Sequence, residues 1–286
     1  MLLIGGCALV IFSVFGGYVL NNGHIGVLWQ PFEFLIILGA GIGGVVTSNT
    51  KVVLGQIGKE IGHLISGPKY QKEHYLELLT MLFQVFKIAK TKGLLALEQH
   101  IEKPEESPLF QQFPKFYSDH HAVAFLCDYL RLMSLGADDP HTLGDLIDEE
   151  LEVHHFHYTR VSTAIQQLAD GIPALGIVAA VLGVIHTMGS ITEPPEVLGH
   201  LIGGALVGTF FGVFASYGFI APIAAGLNSI YASEAAYFKC IKVGLIAHLS
   251  GYAPAISVEF ARKGLPDESK PGFTEVEEAT AALPPA

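Results

Sequence analysis

The sequence predicts an all-α integral membrane protein, with four transmembrane helices and a helical cytoplasmic domain between the second and the third. Half of the 286 residues are hydrophobic and only 15% are charged. Four apolar runs are long enough for a helix that crosses a bilayer, which takes about 20 residues. All 16 lysines and arginines lie outside these runs, in the blocks Lys51–Arg160 and Lys239–Lys270.

The first two transmembrane helices are predicted within residues 1–50, in the runs Met1–Leu20 and Pro31–Ser48. The first run has neither a basic start nor a small-residue cleavage site, so it is interpreted as an anchor rather than a signal peptide. Glu33 stands in the first turn of the second helix. Stabilisation of the helix dipole is the preferred interpretation of this acid, and a place at a pore mouth is the alternative.

The segment 51–66 is amphipathic, with apolar residues near helical spacing and charged residues between them. It is predicted to be a helix that lies at the membrane surface, ended by Gly67-Pro68. Residues 67–170 continue with helical spacing and clustered charges, which predicts a cytoplasmic helical domain. The clusters fit either solvated helix faces or an electrostatic docking surface for a large partner.

No metal site, cofactor or enzyme activity is predicted. Of the histidines His154, His155 and His157, only the first and last share a helix face, and no third ligand is evident. The sequence has no nucleophile elbow, phosphate-binding loop or dinucleotide fingerprint. Its net charge of −11 argues against a nucleic-acid partner, which would require a basic face.

The third and fourth transmembrane helices are predicted within residues 171–233. Two runs without Asp, Glu, Lys or Arg, Gly171–Thr192 and Val197–Ser233, flank the short break Glu193–Glu196. A carboxylate in the middle of a membrane is costly and marks an ion pathway. If the protein conducts protons, a partner therefore has to supply the central carboxylate, because these two runs contain none.

Small residues form a stripe in the fourth helix, since Gly204, Gly208, Gly212 and Ser216 recur every four positions. This spacing lets another helix approach closely in lipid. The stripe fits two interpretations, which are packing between the third and fourth helices and a dedicated face for a partner.

Two prolines lie where they interrupt helical hydrogen bonding. Pro173 is just inside the third helix, and Pro222 is inside the fourth, where it cannot donate to the carbonyl of Gly218. Such a proline usually kinks a helix. Each one is interpreted as a packing kink or as a hinge at the cytoplasmic end of a gated path.

The distribution of lysine and arginine sets the topology, because these residues concentrate on the cytoplasmic side. The loops near Asn21–Pro31 and Glu193–Glu196 are therefore predicted to face outward, with both termini in the cytoplasm. Residues 234–286 are assigned to a cytoplasmic C-terminal helix and a mobile tail. The tail, from Pro266 onward, is rich in Glu, Pro and Ala.

Short motifs in a fixed order cover nearly the whole chain. They are Val14–Tyr18, Gly39–Gly43, Leu97–Glu98, His100–Pro104, Asp128–Leu132, Asp148–Glu150, Ile172–Ala180, Val207–Phe210, Tyr217–Ile220 with Pro222, Gly251–Pro254 and Val258–Phe260. Together they resemble the MotA family of flagellar motor stator proteins.

The resemblance implies a multi-pass protein of the bacterial inner membrane in which five copies surround a MotB dimer. MotB supplies the membrane aspartate and a peptidoglycan anchor. Ion flow then turns the MotA subunits relative to MotB and drives the rotor switch protein FliG, which makes the complex an ion channel that generates torque.

The resemblance also implies roles for residues of the membrane helices. Pro173 and Pro222 match prolines that couple ion binding to cytoplasmic movement. Thr209 matches a pore-facing threonine, and Tyr217 a neighbouring position that lines the pathway. Ala180 stands where sodium-driven relatives have a threonine, and because alanine offers no oxygen, the transported ion is predicted to be a proton.

In the cytoplasmic domain, Glu98 and Glu150 match acidic positions of the rotor contact. Lys90 falls where relatives have an arginine, so its charge is kept but the two-pronged guanidinium is lost. Two alternatives stay open. One is an energiser subunit like ExbB or TolQ, although those proteins have one helix before the cytoplasmic segment where this chain has two. The other is a membrane scaffold that conducts nothing.

Overall fold

The computed structural model describes residues 2–284, apart from the side chains of Leu2 and His157. The described residues form helices and no strands, as predicted. The α-helices are α1 (Leu2–Leu20), α2 (Pro31–Ser48), α3 (Lys51–Ser66), α4 (Lys72–Lys92), α5 (Glu98–Glu102), α6 (Pro114–Tyr117), α7 (His120–Ser134), α8 (Pro140–Met188), α9 (Pro195–Ala215), α10 (Ala221–Leu249), α11 (Pro254–Lys263) and α12 (Phe273–Ala281).

Shorter helical turns join these helices. The 3-10 turns are Ile25–Leu28, Leu94–Leu97, Pro104–Glu106 and Phe110–Gln112, and one π-helical turn, Ser216–Ile220, joins α9 to α10. Proline starts α2, where its missing N–H is not needed. Gly67 and Gly93 end α3 and α4 with φ angles of 86° and 83°, which glycine adopts without a steric penalty.

Within the described part of the chain, four helices are long and apolar enough to cross a membrane, which confirms the predicted number. They are Leu3–Leu20, Ile25–Ser48, Pro140–Met188 and Pro195–Leu249. The chain divides into two compact units. The membrane unit extends to Gly67 and resumes over Tyr158–Ile230, and the cytoplasmic unit contains Pro68–His157 and the chain from Tyr231 onward.

The division within α8 comes earlier than the residue 170 boundary of the sequence analysis. Val161, Ala164 and Ile165 are buried, and Ser162 donates a hydrogen bond of 2.5 Å to the Asn228 side chain of α10. These contacts group residues 158–170 with the membrane unit. The sequence analysis placed Pro173 just inside the start of the third helix, whereas in the structure it lies in the interior of α8, which is 49 residues long.

The cytoplasmic unit is built around α4, whose apolar face is fully buried through Leu78, Leu79, Leu82 and Phe86. The segment that leads into this helix is fixed by aromatic packing. The ring of Tyr70 stacks on that of Tyr237, with centroids 3.8 Å apart. These buried side chains give the cytoplasmic unit a hydrophobic core of its own.

Asp119 connects several parts of the cytoplasmic unit. Its carboxylate caps α7 by accepting from the Ala122 amide at 3.3 Å, and it also accepts from Tyr70 Oη at 2.5 Å and Lys69 Nζ at 2.8 Å. Burial alone would raise the pKa of Asp119, but the bonds from Lys69 and Tyr70 outweigh burial and lower it. The stabilisation is therefore present above the carboxyl's ordinary pKa of about 3.9 and is lost as the pH falls through the lowered value.

The predicted mobile tail is wrong for the residues that form α12. The side chain of Glu275 accepts a hydrogen bond from the Gly272 amide at the start of this helix, at 2.5 Å, and forms an ion pair with Lys72 at 2.8 Å. Val276 is buried, and Arg262 donates to the Pro271 carbonyl at 3.0 Å. The composition resembles that of a disordered segment, but one apolar side chain and a capped start are enough to dock a short helix on a folded surface.

We predict that Val276→Asp releases α12, because an ionised carboxylate cannot remain buried among apolar side chains. Limited proteolysis of the purified complex should then cut between residues 266 and 284 at least about fivefold faster, as expected when a contact of roughly 1 kcal/mol or more is lost. Thr274→Asp is the matched control, because it places the same side chain on the exposed face of α12. Equal cleavage of both variants would contradict the docked helix.

Candidate functional site

The third and fourth transmembrane helices, α8 and α9, touch through their backbones. A Cβ atom on Gly176 of α8 would lie 2.7 Å from the carbonyl oxygen of Gly208. A Cβ atom on Gly212 would lie 2.9 Å from the carbonyl oxygen of Ile172. No side chain fits at either position, so Gly208 and Gly212 of the stripe pack against α8 within one subunit, whereas Gly204 faces Gln30. We call this contact the α8–α9 seam.

A hydrogen bond at the cytoplasmic end of the seam explains how α8 continues through a proline. Pro173 has no N–H, so the carbonyl of Ala169, four residues earlier, lacks its helical donor. Ser216 at the end of the glycine stripe is buried, and its Oγ donates to this carbonyl at 2.6 Å. A donor from a neighbouring helix is the condition under which such a break is tolerated in a membrane.

The second proline follows an irregular turn. The π-helical turn Ser216–Ile220 lies directly before Pro222, which is the second residue of α10. Pro222 cannot donate to the carbonyl of Gly218, so a regular α-helix would leave a gap here in any case. Because Ser216 both begins the π turn and bonds to Ala169, the two proline sites meet at a single hydrogen bond.

Glu33 points into the seam from α2. Its Oε2 atom is buried and has no hydrogen-bond partner among the described residues. A Cβ atom on Gly208 would lie 2.9 Å from this oxygen, and one on Gly183 would lie 3.2 Å from Oε1. The preferred interpretation of Glu33 as a helix-dipole residue is therefore incomplete, because its carboxyl is turned towards two neighbouring helices.

The seam also brings together two of the residues assigned to the ion pathway. A Cβ atom on Gly176 would lie 3.4 Å from Cα of Thr209, and one on Gly208 would lie 3.3 Å from the amide nitrogen of Ala180. Thr209 and Ala180 are half-buried. Tyr217 lies two turns further along, in the π turn, and is 68% exposed. The carboxyl of Glu33 thus lies at the depth of Thr209 and Ala180.

The candidate rotor-contact residues lie in the cytoplasmic unit. Lys90, at the end of α4, donates to the carbonyls of Gly251 and Tyr252 at 3.1 and 3.4 Å. Glu98 is exposed in the first turn of α5. Glu150, on α8, is exposed and accepts a hydrogen bond from Tyr129 on α7. Of the three, Lys90 is the one that bonds to the backbone of another segment of the unit.

Helix α7 holds both acidic positions. Burial and the bond to Glu150 raise the pKa of the Tyr129 phenol, so this donor stays protonated. Two residues after Tyr129, Arg131 bonds to Glu102 of α5 at 2.8 Å and to the Ile101 carbonyl at 3.4 Å. Helix α5 carries Glu98, so α7 connects the helices that present the two acids.

In the histidine region, two imidazole rings meet. The described residues contain no group of three or more His, Cys, Asp or Glu side chains that could hold a metal ion. His154 instead meets His121 of α7, with their Nε2 atoms 2.6 Å apart. The side chain of His157 lies outside the described part of the chain.

Comparison with protein families gives matches over most of the chain. Residues 119–239 match the MotA/TolQ/ExbB proton channel family, and residues 4–93 match the family Motility protein A N-terminal. The chain belongs to the MotA/TolQ/ExbB proton channel family. Together with the four membrane-crossing helices, this makes it a multi-pass membrane protein.

Curated relatives extend the MotA similarity over the full length. Motility protein A of Salmonella typhimurium is 41% identical over 284 residues, which cover 99% of this chain and 96% of the relative. Motility protein A of Escherichia coli is 40% identical with the same coverage. Chemotaxis protein LafT of Vibrio parahaemolyticus is 34% identical over 95% of each chain.

Two solved stator structures share the fold. The chain matches the MotAB stator complex from Bacillus subtilis with a TM-score of 0.71 and 26% identity, over 90% of this chain and 92% of the other. It matches C. jejuni MotAB with a TM-score of 0.75 and 20% identity, over 93% and 96%. The expected MotA-like fold is thereby confirmed.

Sequence reasoning missed two features of the seam. Ser216 was placed in a stripe of small residues, but its hydroxyl donates across helices to a proline-freed carbonyl. Glu33 was interpreted by preference as a residue that stabilises the dipole of its own helix, although it is the only Asp, Glu, Lys or Arg in the first 50 residues. An acid alone in so apolar a segment is costly unless it faces protein, and that signal was present in the MotA-like sequence.

We predict that Ser216→Ala lowers the unfolding free energy of the complex by about 1–3 kcal/mol, because it leaves the buried Ala169 carbonyl without a donor. In a Pro173→Ala background the restored N–H of residue 173 serves that carbonyl, so the same change should cost much less. A double-mutant cycle in detergent, unfolded with denaturant, measures the coupling.

Ser13→Ala is the matched control for this cycle, because Ser13 is exposed on α1. It should be close to neutral in both backgrounds. If the effects of Ser216→Ala and Pro173→Ala add to within about 0.5 kcal/mol, the two residues act independently and our account of the Ser216 bond fails.

Proposed function

We propose that this chain is a stator subunit of a bacterial flagellar motor. With MotB it forms an ion channel in the inner membrane and converts ion flow into torque on the rotor. The observation that carries the proposal is the 41% identity to Motility protein A of Salmonella typhimurium over 99% of the chain. Similarity of this extent covers the membrane helices and the cytoplasmic helices together.

The α8–α9 seam supports a role in conduction. Thr209 and Ala180 flank the glycine contact, and the carboxyl of Glu33 reaches the same depth. MotB contributes the essential membrane aspartate in this proposal, and Glu33 is a carboxyl that the chain itself places beside the pathway. Ala180 has no hydroxyl to bind sodium, which favours the proton as the transported ion.

The hydrogen bond from Ser216 to the Ala169 carbonyl links the sites of the two prolines, and this link supports a role in coupling. Ser216 joins the π turn before Pro222 to the helical gap before Pro173. In our proposal, a change of ion occupancy near Thr209 alters this connection and is transmitted along α8 and α10. Both helices contribute residues to the membrane unit and to the cytoplasmic unit.

The assembly is proposed to contain five copies of this chain around a MotB dimer. Its cytoplasmic side contacts the rotor switch protein FliG through Lys90, Glu98 and Glu150, and both termini of the chain face the cytoplasm. The exposure of the two acids supports this contact. No nucleic acid, cofactor or enzymatic reaction is part of the proposal.

An energiser subunit like ExbB or TolQ is the second candidate, because the matched family includes those proteins. Two features favour the stator. Residues 4–93 match the Motility protein A N-terminal family, and two membrane-crossing helices, α1 and α2, precede the cytoplasmic segment. A scaffold that conducts nothing gives no account of a buried, unpartnered carboxyl oxygen in the membrane unit.

We predict that cells whose only stator is this protein with its cognate MotB swim at a speed set by the proton gradient. The external sodium concentration should have no effect, because Ala180 supplies no oxygen ligand. Swimming speed is measured while the proton gradient and sodium are varied separately, and cells without stator genes give the baseline. A speed that follows sodium would retain the motor and reject the proton assignment.

Absence of motility would have a different meaning. If the chain co-purifies with MotB and the cells still do not swim, the stator proposal fails and the energiser or scaffold gains support. If the chain does not assemble with its cognate MotB, the proposed stator complex is contradicted as well.

We also predict that Glu98→Lys reduces swimming speed at least about twofold while leaving assembly with MotB intact, because reversing a charge in a docking surface weakens encounter and register. Glu105→Lys is the matched control, since it reverses an exposed acid on the neighbouring 3-10 turn. Lys90→Glu is a less clean test, because it also removes the bonds to the Gly251 and Tyr252 carbonyls. Equal speeds of the Glu98 and Glu105 variants would contradict the docking role.

A further inference from the structure

Two histidines of the cytoplasmic unit face each other with their ring nitrogens. His121 lies in the first turn of α7 and His154 lies on α8, and their Nε2 atoms are 2.6 Å apart. The ring centroids are 4.6 Å apart and the planes differ by 14°. The centroid distance exceeds the nitrogen distance by about the width of one ring. The rings therefore meet through their Nε2 atoms with nearly parallel planes, and they do not overlap fully face to face.

This geometry requires one proton between the two rings. A neutral imidazole has one N–H and one bare nitrogen, so one Nε2 can donate while the other accepts. When the neutral pair takes up two extra protons, both rings carry a charge and both Nε2 atoms are donors. The two rings then repel each other. The contact is therefore intact while the pair has at most one extra proton, and it breaks when both rings are charged.

A metal ion is a poorer explanation of the pair. Zinc binds imidazole nitrogen at about 2.0–2.1 Å, so two nitrogens in its tetrahedral shell lie well over 3 Å apart. The observed 2.6 Å is shorter than that and matches a hydrogen bond. The described residues also offer no set of three ligands here.

The contact between the two histidines is exposed to solvent, with an aromatic ring on one side and charged or titratable groups of the three helices nearby. Phe238 of α10 packs against both rings, at 5.2 and 5.3 Å. Several charged and titratable groups lie within a few residues of His121, His154 or Phe238 on the three helices or are paired with such a residue, and some of them bear on the pair. They are Asp119, bonded to Lys69; His120 and His155, beside the pair; Glu150, bonded to Tyr129; Tyr158, one turn after His154; and Glu234 and Lys242 of α10, the latter paired with Asp148.

The position of the pair connects it to the acidic surface formed by Glu98 and Glu150. His121 is at the N-terminal end of α7, and the same helix holds Glu150 through Tyr129 and holds α5 through Arg131. The bond between the histidines is one of the connections between α7 and α8. When it breaks, α7 loses an attachment at the end opposite to Arg131.

We propose that His121 and His154 form a cytoplasmic pH sensor, which releases the start of α7 from α8 when the cytoplasm becomes acidic. Histidine is the side chain that ordinarily changes charge between about pH 5 and 8. Release loosens the surface that carries Glu98 and Glu150 and lowers torque. This last step rests on the proposed stator function, whereas the opening of the pair does not.

The opening is tested by hydrogen exchange on the purified complex with MotB at pH 7.5, 6.5 and 5.5, corrected for the intrinsic pH dependence of exchange. Protection of the amides of residues 122–125 should fall about fivefold in the wild type at the lowest pH, as expected for the loss of one hydrogen bond. In His121→Gln/His154→Gln, two carboxamides keep a hydrogen bond at every pH, and protection should not change.

His120→Gln/His155→Gln is the matched control, because it removes two exposed neighbouring histidines and leaves the pair in place. It should behave as the wild type does. Co-purification with MotB shows that each variant folds. If the wild type and the His121/His154 variant lose protection equally, the sensor is rejected.

The effect on torque is tested by lowering the cytoplasmic pH with a permeant weak acid and measuring swimming speed. All strains experience the same loss of proton gradient, so the comparison isolates the pair. The His121/His154 variant should keep about twice the speed of the control variant at low pH. Equal slowing would reject the effect on torque. If no strain swims at all, the stator proposal has failed, and hydrogen exchange alone decides the sensor.

Discussion

The membrane unit depends on the closeness of α8 and α9, which is possible only because Gly176, Gly208 and Gly212 have no side chains. In lipid there is little hydrophobic drive to bring helices together, so association relies on packing and on hydrogen bonds between helices. The seam uses both, since the glycine contact places the Ser216 hydroxyl within reach of the Ala169 carbonyl. A proline that would break an isolated helix is accepted here because its neighbour provides the missing donor.

Much of the fold could be predicted from local signals. The bounds of α2 and α3 follow from a proline at one start and a glycine at one end, and the four membrane helices follow from length and composition. The course of α8 through Pro173 could not be predicted, because the compensating donor is 47 residues away. The direction of Glu33 depends on how α2 is rotated in the bundle, and the docking of α12 depends on a single buried valine. Roles for Thr209, Ala180 and Tyr217 rest on family resemblance and remain predictions.

The cytoplasmic unit gives a physical reason for lysine at position 90. An ammonium group is a compact donor on a flexible stem, and here it reaches two consecutive carbonyls, of Gly251 and Tyr252. Its charge thereby contributes to the turn between α10 and α11 as well as to the surface. Glu98 and Glu150 depend instead on α7, whose bonds to α5 and α8 hold the two acids in place. The surface proposed to meet the rotor is thus supported from behind by one helix.

The π turn between α9 and α10 amounts to one residue inserted into an otherwise continuous α-helix. Each residue of an α-helix rotates the chain by about 100°, so this insertion turns every later side chain to a different side. With this extra residue in the helix, Asn228 beyond the turn meets Ser162 of α8, the same helix to which Ser216 bonds through Ala169. In the history of the sequence, deleting a single residue between Ser216 and Ile220 would be more disruptive than most substitutions, because it would rotate all of α10 relative to the stripe.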